Sequence, residues 1–180
     1  PQLVPGGLNR VAWEKATAGG KGVNVASFLA DLGCCVTAGG LLGADNADLF
    51  DRVFLDRGIA DAFVRLPGRT RVNLKLIDEH SRTVTEINFP GQAVAAAHLA
   101  DLQRRIDTAL AGCAYCIASG SLPAGVRVEY YADLIARLAT TGQRALLDTS
   151  GQALRCGGAA HPWAIKPNQA ELEELVGRRL

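Results

Sequence analysis

The sequence contains no apolar run approaching the ~20 residues that a membrane-spanning helix needs. Its opening stretch, PQLVPGGLNR, has no apolar core of the kind a secretory signal requires, so no signal is expected there. Charge of one sign is also missing: 19 Lys and Arg stand against 18 Asp and Glu, a net charge of +1. With neither a basic face nor basic residues interleaved with aromatics, no nucleic acid and no membrane is expected as a partner. Histidines are few and scattered, at His80, His98 and His161, and are expected to be structural or solvated. The cysteines are Cys34, Cys35, Cys113, Cys116 and Cys156. An odd number within apolar stretches suits reduced thiols and a cytoplasmic location better than a disulfide framework. Cys113 and Cys116 have the C-x-x-C spacing, but the run continues into a strand pattern rather than opening a helix. No second ligand pair accompanies it, so neither redox nor metal chemistry is expected there.

What is present is a globular composition, 48% hydrophobic and 21% charged over 180 residues. That suffices for one sizeable domain with its own core. Short apolar runs, CCVTAGG (34–40), AYCIAS (114–119), RALLDT (144–149) and WAIKP (163–167), read as buried strands. Amphipathic helical patterns lie between them. One ends at Gly33, a plausible C-cap. A second starts at a capping Asn46 and ends at Gly58. A third places Leu99, Leu102, Ile106 and Leu110 on one face, and a fourth does the same with Tyr131, Leu134, Ile135 and Leu138. Alternating strands and helices predict an α/β fold, a doubly wound parallel sheet covered by helices on both faces. The block 69–91 breaks the rhythm. It alternates apolar and polar residues around a polar turn, DEHSR, and predicts a hairpin with one wet face, placed to cover a site.

The stretch TAGGKGVNVA (17–26) asks for a chemical reading. It is no Walker A loop, because Lys21 is followed by Gly22 and position 15 is Lys15; nor is it G-x-G-x-x-G. Yet Gly19, Gly20 and Gly22 run straight into a helix, whose free amides favour an anion. Lys21 adds a full charge, and Asn24 can donate and accept toward hydroxyls. On spacing alone, an anion site and a plain glycine turn are equally good readings. Near the other end, KPNQAE pairs Asn168 with Glu171 three residues later, which is a helix capping box as it stands. GGLLG at 39–43 follows a strand, but its spacing and the lack of an acid after a second strand argue against a nicotinamide site.

These stretches, in order, resemble the PfkB-type sugar kinases of the ribokinase-like superfamily. NRVAWEKATAGGKGVNVASFLADLG is similar to the family's entry strand, turn and helix, and GLLGADNADLF to its next turn and helix. TRVNLKLID…TVTEINFPG resembles the lid of its hexose-phosphate kinases. ASGSLPAGV and LLDTSGQAL match two strand-end loops, and AIKPNQAELEELVG the K-P-N-x-x-E-L run. The resemblance implies a three-layer α/β/α fold in a single domain over 1–180, with lid strands at about 9–17 and 70–90. It implies that the chain corresponds to the N-terminal and middle part of such a kinase, truncated at the C-terminus. It further implies ATP-dependent phosphorylation of a sugar phosphate. Fructose 1-phosphate is favoured, with tagatose 6-phosphate and fructose 6-phosphate as alternatives; a non-catalytic sugar-phosphate-binding module is a rival from another class.

Under the resemblance, Gly20, Lys21, Gly22 and Asn24 hold the sugar, and Lys21 and Arg71 balance its phosphate. Asn73 and Ser121 are further substrate candidates; Asn73 and Lys75 are expected on the hairpin face of Arg71. Ser119 joins Ser121 in the SGSLPAG loop. Lys166, Asn168 and Glu171 are the ATP side, with Glu171 reaching Mg2+ through water. Asp148, at the end of an apolar strand, is expected to be structural or near the nucleotide. The family's general base lies in a later G-A-G-D loop. No such run occurs in these residues, so the base is expected beyond Leu180 and little activity from the chain alone. A homodimer through the lid is also implied.

Overall fold

The computed structural model describes residue 4 and residues 6–180; Pro1, Gln2, Leu3 and Pro5 of the opening stretch lie outside the described residues. Helix α1 (Lys21–Asp31) begins at Gly20, whose φ of 114° is open to glycine and strained for other residues. It ends two residues before Gly33, where φ is 82°. Strands β1 (Thr37–Ala38) and β2 (Leu41–Gly43) follow, then a 3-10 turn (Ala44–Asn46) and α2 (Asp48–Arg57). Helix α2 closes on Gly58 in the left-handed conformation, as its sequence predicts. Strands β3 (Ala60–Asp61) and β4 (Val64–Leu66) return parallel to β1 and β2. Ala62 N donates to Ala38 O at 2.8 Å and Val64 N to Gly40 O at 2.9 Å, so the four short strands make one continuous parallel ladder.

The hairpin comprises β5 (Asn73–Asp78) and antiparallel β6 (Thr83–Asn88). Its turn is built by Asp78, whose buried carboxylate accepts from His80 N at 2.9 Å and Ser81 N at 3.1 Å. Next come α3 (Ala96–Leu110), β7 (Tyr115–Ser119), α4 (Tyr130–Thr140), β8 (Arg144–Asp148), α5 (Gly151–Ala159), β9 (Ala164–Ile165) and α6 (Gln169–Val176). Strands β7, β8 and β9 form a second parallel ladder in that order.

The layers follow from strand alternation. On β2, Leu42 joins the cluster of Val23, Ala26, Phe50 and Phe54 from α1 and α2, while its neighbour Leu41 packs with Leu66 and Leu102 toward α3. Successive side chains thus feed opposite faces, as a doubly wound sheet requires. The second ladder has its own cluster, in which Leu147 of β8 is fully buried among Ile135, Leu138 and Leu154 of α4 and α5. Gly157 lets α5 lie this close, because a Cβ there would stand 2.6 Å from Leu147 Cδ2. Among the described residues no backbone bond joins the two ladders. Helix α1 packs against both β1 and β7, and a cleft of about 1560 Å³ runs between the ladders.

Three expectations need correction. Residues 9–17 form no strand; they are exposed and have no ladder partner among the described residues. The hairpin has two wet faces rather than one. Leu74, Ile77, Val84 and Ile87 are all exposed, because two strands alone projecting from the body leave nothing to cover either side. Asn46 does not cap α2. The helix starts from Ala47 without a side-chain cap, and the Asn46 amide is used elsewhere.

Candidate active site

Small residues and parallel strands put the chain's polar loops at one edge. The Ser119–Pro123 loop leaves the end of β7, and Asp148 ends β8 directly opposite Ser119. Gly120 has φ 100° and its N–H donates to Asp148 O at 2.9 Å; the buried Thr149 hydroxyl donates to Gly120 O at 2.9 Å. Tyr131 of α4 donates its hydroxyl to Gly120 O at 3.1 Å. These bonds fix two strand ends to each other. The start of α1 approaches the same place: a Cβ on Gly22 would meet Ser119 O at 4.0 Å, and one on Gly120 would meet Lys21 Cβ at 4.0 Å.

Most of the sequence candidates share this cleft. Gly20, Lys21, Gly22, Asn24, Arg71, Asn73, Ser119 and Ser121 all line it. The Arg71 guanidinium donates to Ser121 Oγ at 3.4 Å, so the leg of the hairpin meets the β7 loop. Arg71 lies two residues before β5. Lys75 also lines the cleft, and its ammonium pairs with Glu86 across the hairpin at 3.0 Å. Ser119 Oγ is buried without a hydrogen-bond partner, an arrangement that a polar ligand atom in the cleft would satisfy.

On the other side of Asp148, β9 leads to Lys166, whose backbone N–H donates to Leu147 O at 2.9 Å. Lys21 Nζ and Lys166 Nζ stand 2.9 Å and 3.4 Å from the same Asp148 oxygen, Oδ1. Asn168 and Glu171 do form the capping box that their spacing predicts: Glu171 N donates to Asn168 Oδ1 and Asn168 N donates to Glu171 Oε2, each at 2.8 Å. That leaves Oε1 of Glu171 outside the box. Among the described residues no cluster of three His, Cys, Asp or Glu could hold a metal ion. A magnesium ion, which gives up its water reluctantly, fits this donor set only through water and ligand phosphates.

Two contributors escaped the sequence reading, and a third, Asp148, has partners that the sequence does not show. Asn46 clamps Thr70, accepting from its N–H at 2.7 Å and donating to its C=O at 3.1 Å, immediately before Arg71. Gly43 lets this crossing happen: a Cβ there would lie 2.2 Å from Arg69 C and Thr70 N. Asp148 joins the two lysines. Asn46 carried a competing cap signal, and only the fold brings Thr70 to it.

Cations, serines and a glycine-led helix gathered where parallel strands end are the features of an α/β protein that takes an anionic small molecule at its strand termini. The model of the pfkB family of carbohydrate kinases matches residues 2–180, and the chain belongs to that family. It is 48% identical over 181 residues to 1-phosphofructokinase of Rhodobacter capsulatus, covering 100% of this chain and 57% of that protein. To 1-phosphofructokinase of Escherichia coli K12 it is 41% identical over 184 residues, again covering 57% of the relative. Among solved structures, phosphofructokinase-2 of Escherichia coli in complex with fructose-6-phosphate superposes over 100% of this chain and 59% of its own, with a TM-score of 0.90 at 32% identity. A possible 1-phosphofructokinase from Thermotoga maritima aligns with TM-score 0.81 at 27% identity, covering 94% of this chain and 54% of its own. The chain thus spans somewhat over half the length of the relatives it matches. The fold is that of ribokinase-like kinases, a parallel α/β/α arrangement with a small β hairpin beside the cleft.

Proposed function

We propose that this chain forms the sugar-phosphate-binding part, and one wall of the nucleotide site, of a kinase that transfers the ATP γ-phosphoryl group to fructose 1-phosphate, giving fructose 1,6-bisphosphate. The observation that carries the reading is the single cleft lined by Gly20, Lys21, Asn24, Arg71 and Ser121. Catalysis of phosphoryl transfer is largely alignment and charge neutralisation. Lys21 and Arg71 anchor the acceptor's own phosphate, and the planar fork of Arg71 suits two of its oxygens. Asn24 and Asn73 face sugar hydroxyls, and Ser121 holds Arg71 in place until phosphate arrives. Lys166 meets the donor phosphates, and Asn168, by capping α6, fixes Glu171 beside them. Glu171 would hold magnesium through water beside the donor phosphates, where the ion would supply neutralising charge. The hairpin keeps water from the transfer.

The choice among fructose 1-phosphate, fructose 6-phosphate and tagatose 6-phosphate is supported by the two 1-phosphofructokinase relatives at 41% and 48% identity. The general base belongs to a G-A-G-D loop in this reading, and no such run occurs in the 180 residues. The exposed Leu74, Ile77, Val84 and Ile87 on the two hairpin faces support a homodimer through the lid; phosphofructokinase-2 of Escherichia coli has a tetrameric inhibited form. Five free cysteines support a reducing, cytoplasmic setting. Among the described residues no helix is long and apolar enough to cross a membrane.

Titration calorimetry with the three sugar phosphates tests the reading. Fructose 1-phosphate should bind tightest, and Lys21→Ala should weaken it; equal or absent binding of all three refutes it. ATP consumption with fructose 1-phosphate should be slight in these 180 residues, because a missing base costs about 10²–10⁴ in rate. Robust turnover would show that the base lies within them.

A further inference from the structure

One peptide in the cleft wall is held by side chains from two other elements. Gly120 follows β7 with a φ of 100°, in the region that favours glycine. Its N–H donates to Asp148 O at 2.9 Å. Its C=O accepts two hydroxyls at once, Thr149 Oγ1 at 2.9 Å and Tyr131 Oη at 3.1 Å. The Tyr131 hydroxyl lies farther, 3.4 Å, from Ser119 O. Thr149 is 1% exposed and Tyr131 is half-buried, so the Gly120 carbonyl is turned into the body of the protein. A glycine lets the peptide that follows it flip at little steric cost, by opposite rotations about Gly120 ψ and Ser121 φ. Sterics therefore do not choose the orientation of this peptide; the two hydroxyls do.

The choice has a chemical result. The 120–121 peptide is trans, and in a planar trans peptide the N–H points opposite to the C=O. With Gly120 O held inward, Ser121 N–H is turned the other way, toward the cleft that Ser121 lines. This N–H has no acceptor among the described residues. The side chain of Ser121 adds a second donor. Its Oγ accepts from Arg71 Nη2 at 3.4 Å, which leaves the hydroxyl hydrogen for another acceptor. Two adjacent donors from one residue, backed by a guanidinium, suit the oxygens of a phosphate dianion.

We infer that Thr149 and Tyr131 are positioning residues: their hydroxyls lock the 120–121 peptide so that Ser121 N–H, beside Ser121 Oγ and Arg71, binds the phosphate that the sugar already carries. The lock stands on geometry alone; the identity of the anion rests on the sugar-phosphate reading above. In fructose 1-phosphate the phosphate is on C1 and the hydroxyl that reacts is on C6. The clasp thus holds the end of the sugar that takes no part in the transfer.

The lock is tested without ligand, on ¹⁵N-labelled protein. The three-bond HN–Hα coupling of Ser121 follows its φ, which changes when the peptide flips. That coupling should differ between the wild type and the Thr149→Val, Tyr131→Phe double variant, whereas Thr149→Ser keeps its hydroxyl and should keep the wild-type value. A coupling that ignores the double substitution overturns the lock. Should the double variant fail to fold, Thr149→Val and Tyr131→Phe are read singly, and the lock falls if neither moves the coupling. The clasp is then titrated with inorganic phosphate and with fructose 1-phosphate while the Ser121 amide proton is followed. Both ligands should move it downfield. Each lost hydroxyl should weaken their binding by about two- to ten-fold, and Thr149→Ser should bind as the wild type does. A downfield shift with no loss of affinity in the variants overturns the positioning role. A still Ser121 amide overturns the clasp, because both Ser121 and Arg71 belong to this chain; if the Gly20 and Asn24 amides move with fructose 1-phosphate in that case, the sugar-phosphate reading stands without it. Equal affinity for the two ligands, with Ser121 responding to both, supports the clasp and counts against sugar recognition alone.

Discussion

The side-chain amide of Asn46 holds both backbone polar groups of Thr70, accepting from the N–H at 2.7 Å and donating to the C=O at 3.1 Å. The next residue is Arg71. An exposed arginine on a long stem is only as well aimed as its backbone, so the clamp sets where the guanidinium starts. Asn46→Ala removes two partly buried hydrogen bonds, each worth about 0.5–1.5 kcal/mol net. Fructose 1-phosphate affinity should drop by about three- to ten-fold, with the overall fold retained by circular dichroism. Unchanged affinity would separate the clamp from the site.

Gly43 tests the same crossing sterically. A methyl group at this position meets Arg69 C and Thr70 N at 2.2 Å, and both are backbone atoms that cannot swing aside. Gly43→Ala should therefore cost more than about 2 kcal/mol, seen as a lower urea midpoint. Gly58→Ala is a useful contrast, because nothing stands within 4 Å of a Cβ there and only its φ of 63° is at stake, about 1 kcal/mol.

Arg71→Lys keeps the charge but loses the fork that fits two phosphate oxygens. Binding of fructose 1-phosphate should weaken by about ten-fold or more, while binding of free fructose stays as weak as before. An equal effect on sugar and sugar phosphate would mean that Arg71 acts on hydroxyls instead.

Two half-buried acids set the alkaline limit of stability. Burial foremost, then the charges of Tyr130 and Asp148, push the Tyr131 phenol up from 10.0 to about 12. Burial foremost, then Cys113, push the Cys116 thiol up from 9.0 to about 11, with Arg137 opposing. Both folded-state values are raised, so each group's contribution is complete below its unfolded value and is lost as pH climbs through the folded one. The unfolded chain releases these protons first, and stability must fall: from about pH 9 for Cys116 and from about pH 10 for Tyr131. Each contribution is on the order of 2 kcal/mol. Urea midpoints should be flat from pH 7 to 8 and decline above 9, with the upper part of the decline reduced in Tyr131→Phe. A midpoint constant to pH 11 would contradict this.

Removing the cap Asn168, by Asn168→Ala, should loosen α6 by about 1 kcal/mol and expose its first amides to faster hydrogen exchange. If Glu171 serves the donor side, ATP affinity should fall with it.

The sequence was most legible where physics is local. The C-cap at Gly58, the capping box of Asn168 and Glu171, and the strand–helix alternation from Tyr115 to Ile165 each rest on neighbouring residues. The cleft was legible only as an ordered set of motifs. That Lys21 and Arg71 line one cavity follows from packing, not from spacing. The misses share one cause. Asn46 reads as a helix cap because caps are judged within four residues, whereas its partner Thr70 arrives from the far side of β4. Likewise, an alternating pattern in 71–89 implies a covered face, but covering needs a third layer that the hairpin itself does not encode. Asp148 reads as structural or near the nucleotide, but that two lysines converge on it is not legible locally, because Lys21 lies 127 residues away.

The separation of the two parallel ladders has a bearing on how the molecule unfolds. One apolar cluster belongs to α1, α2 and their strands, and another to β7, β8, α4 and α5. No backbone ladder among the described residues ties the first to the second; α1 packs against both β1 and β7, and Ile106 joins the second cluster to that of Val64, Leu66 and Leu102. Such a chain has two units of cooperativity joined mainly through helices. Its melting should separate into two events when followed by hydrogen exchange, one on each side of the cleft. A ligand whose ends grip both sides would fuse them into a single event, making heat resistance itself a gauge of occupancy.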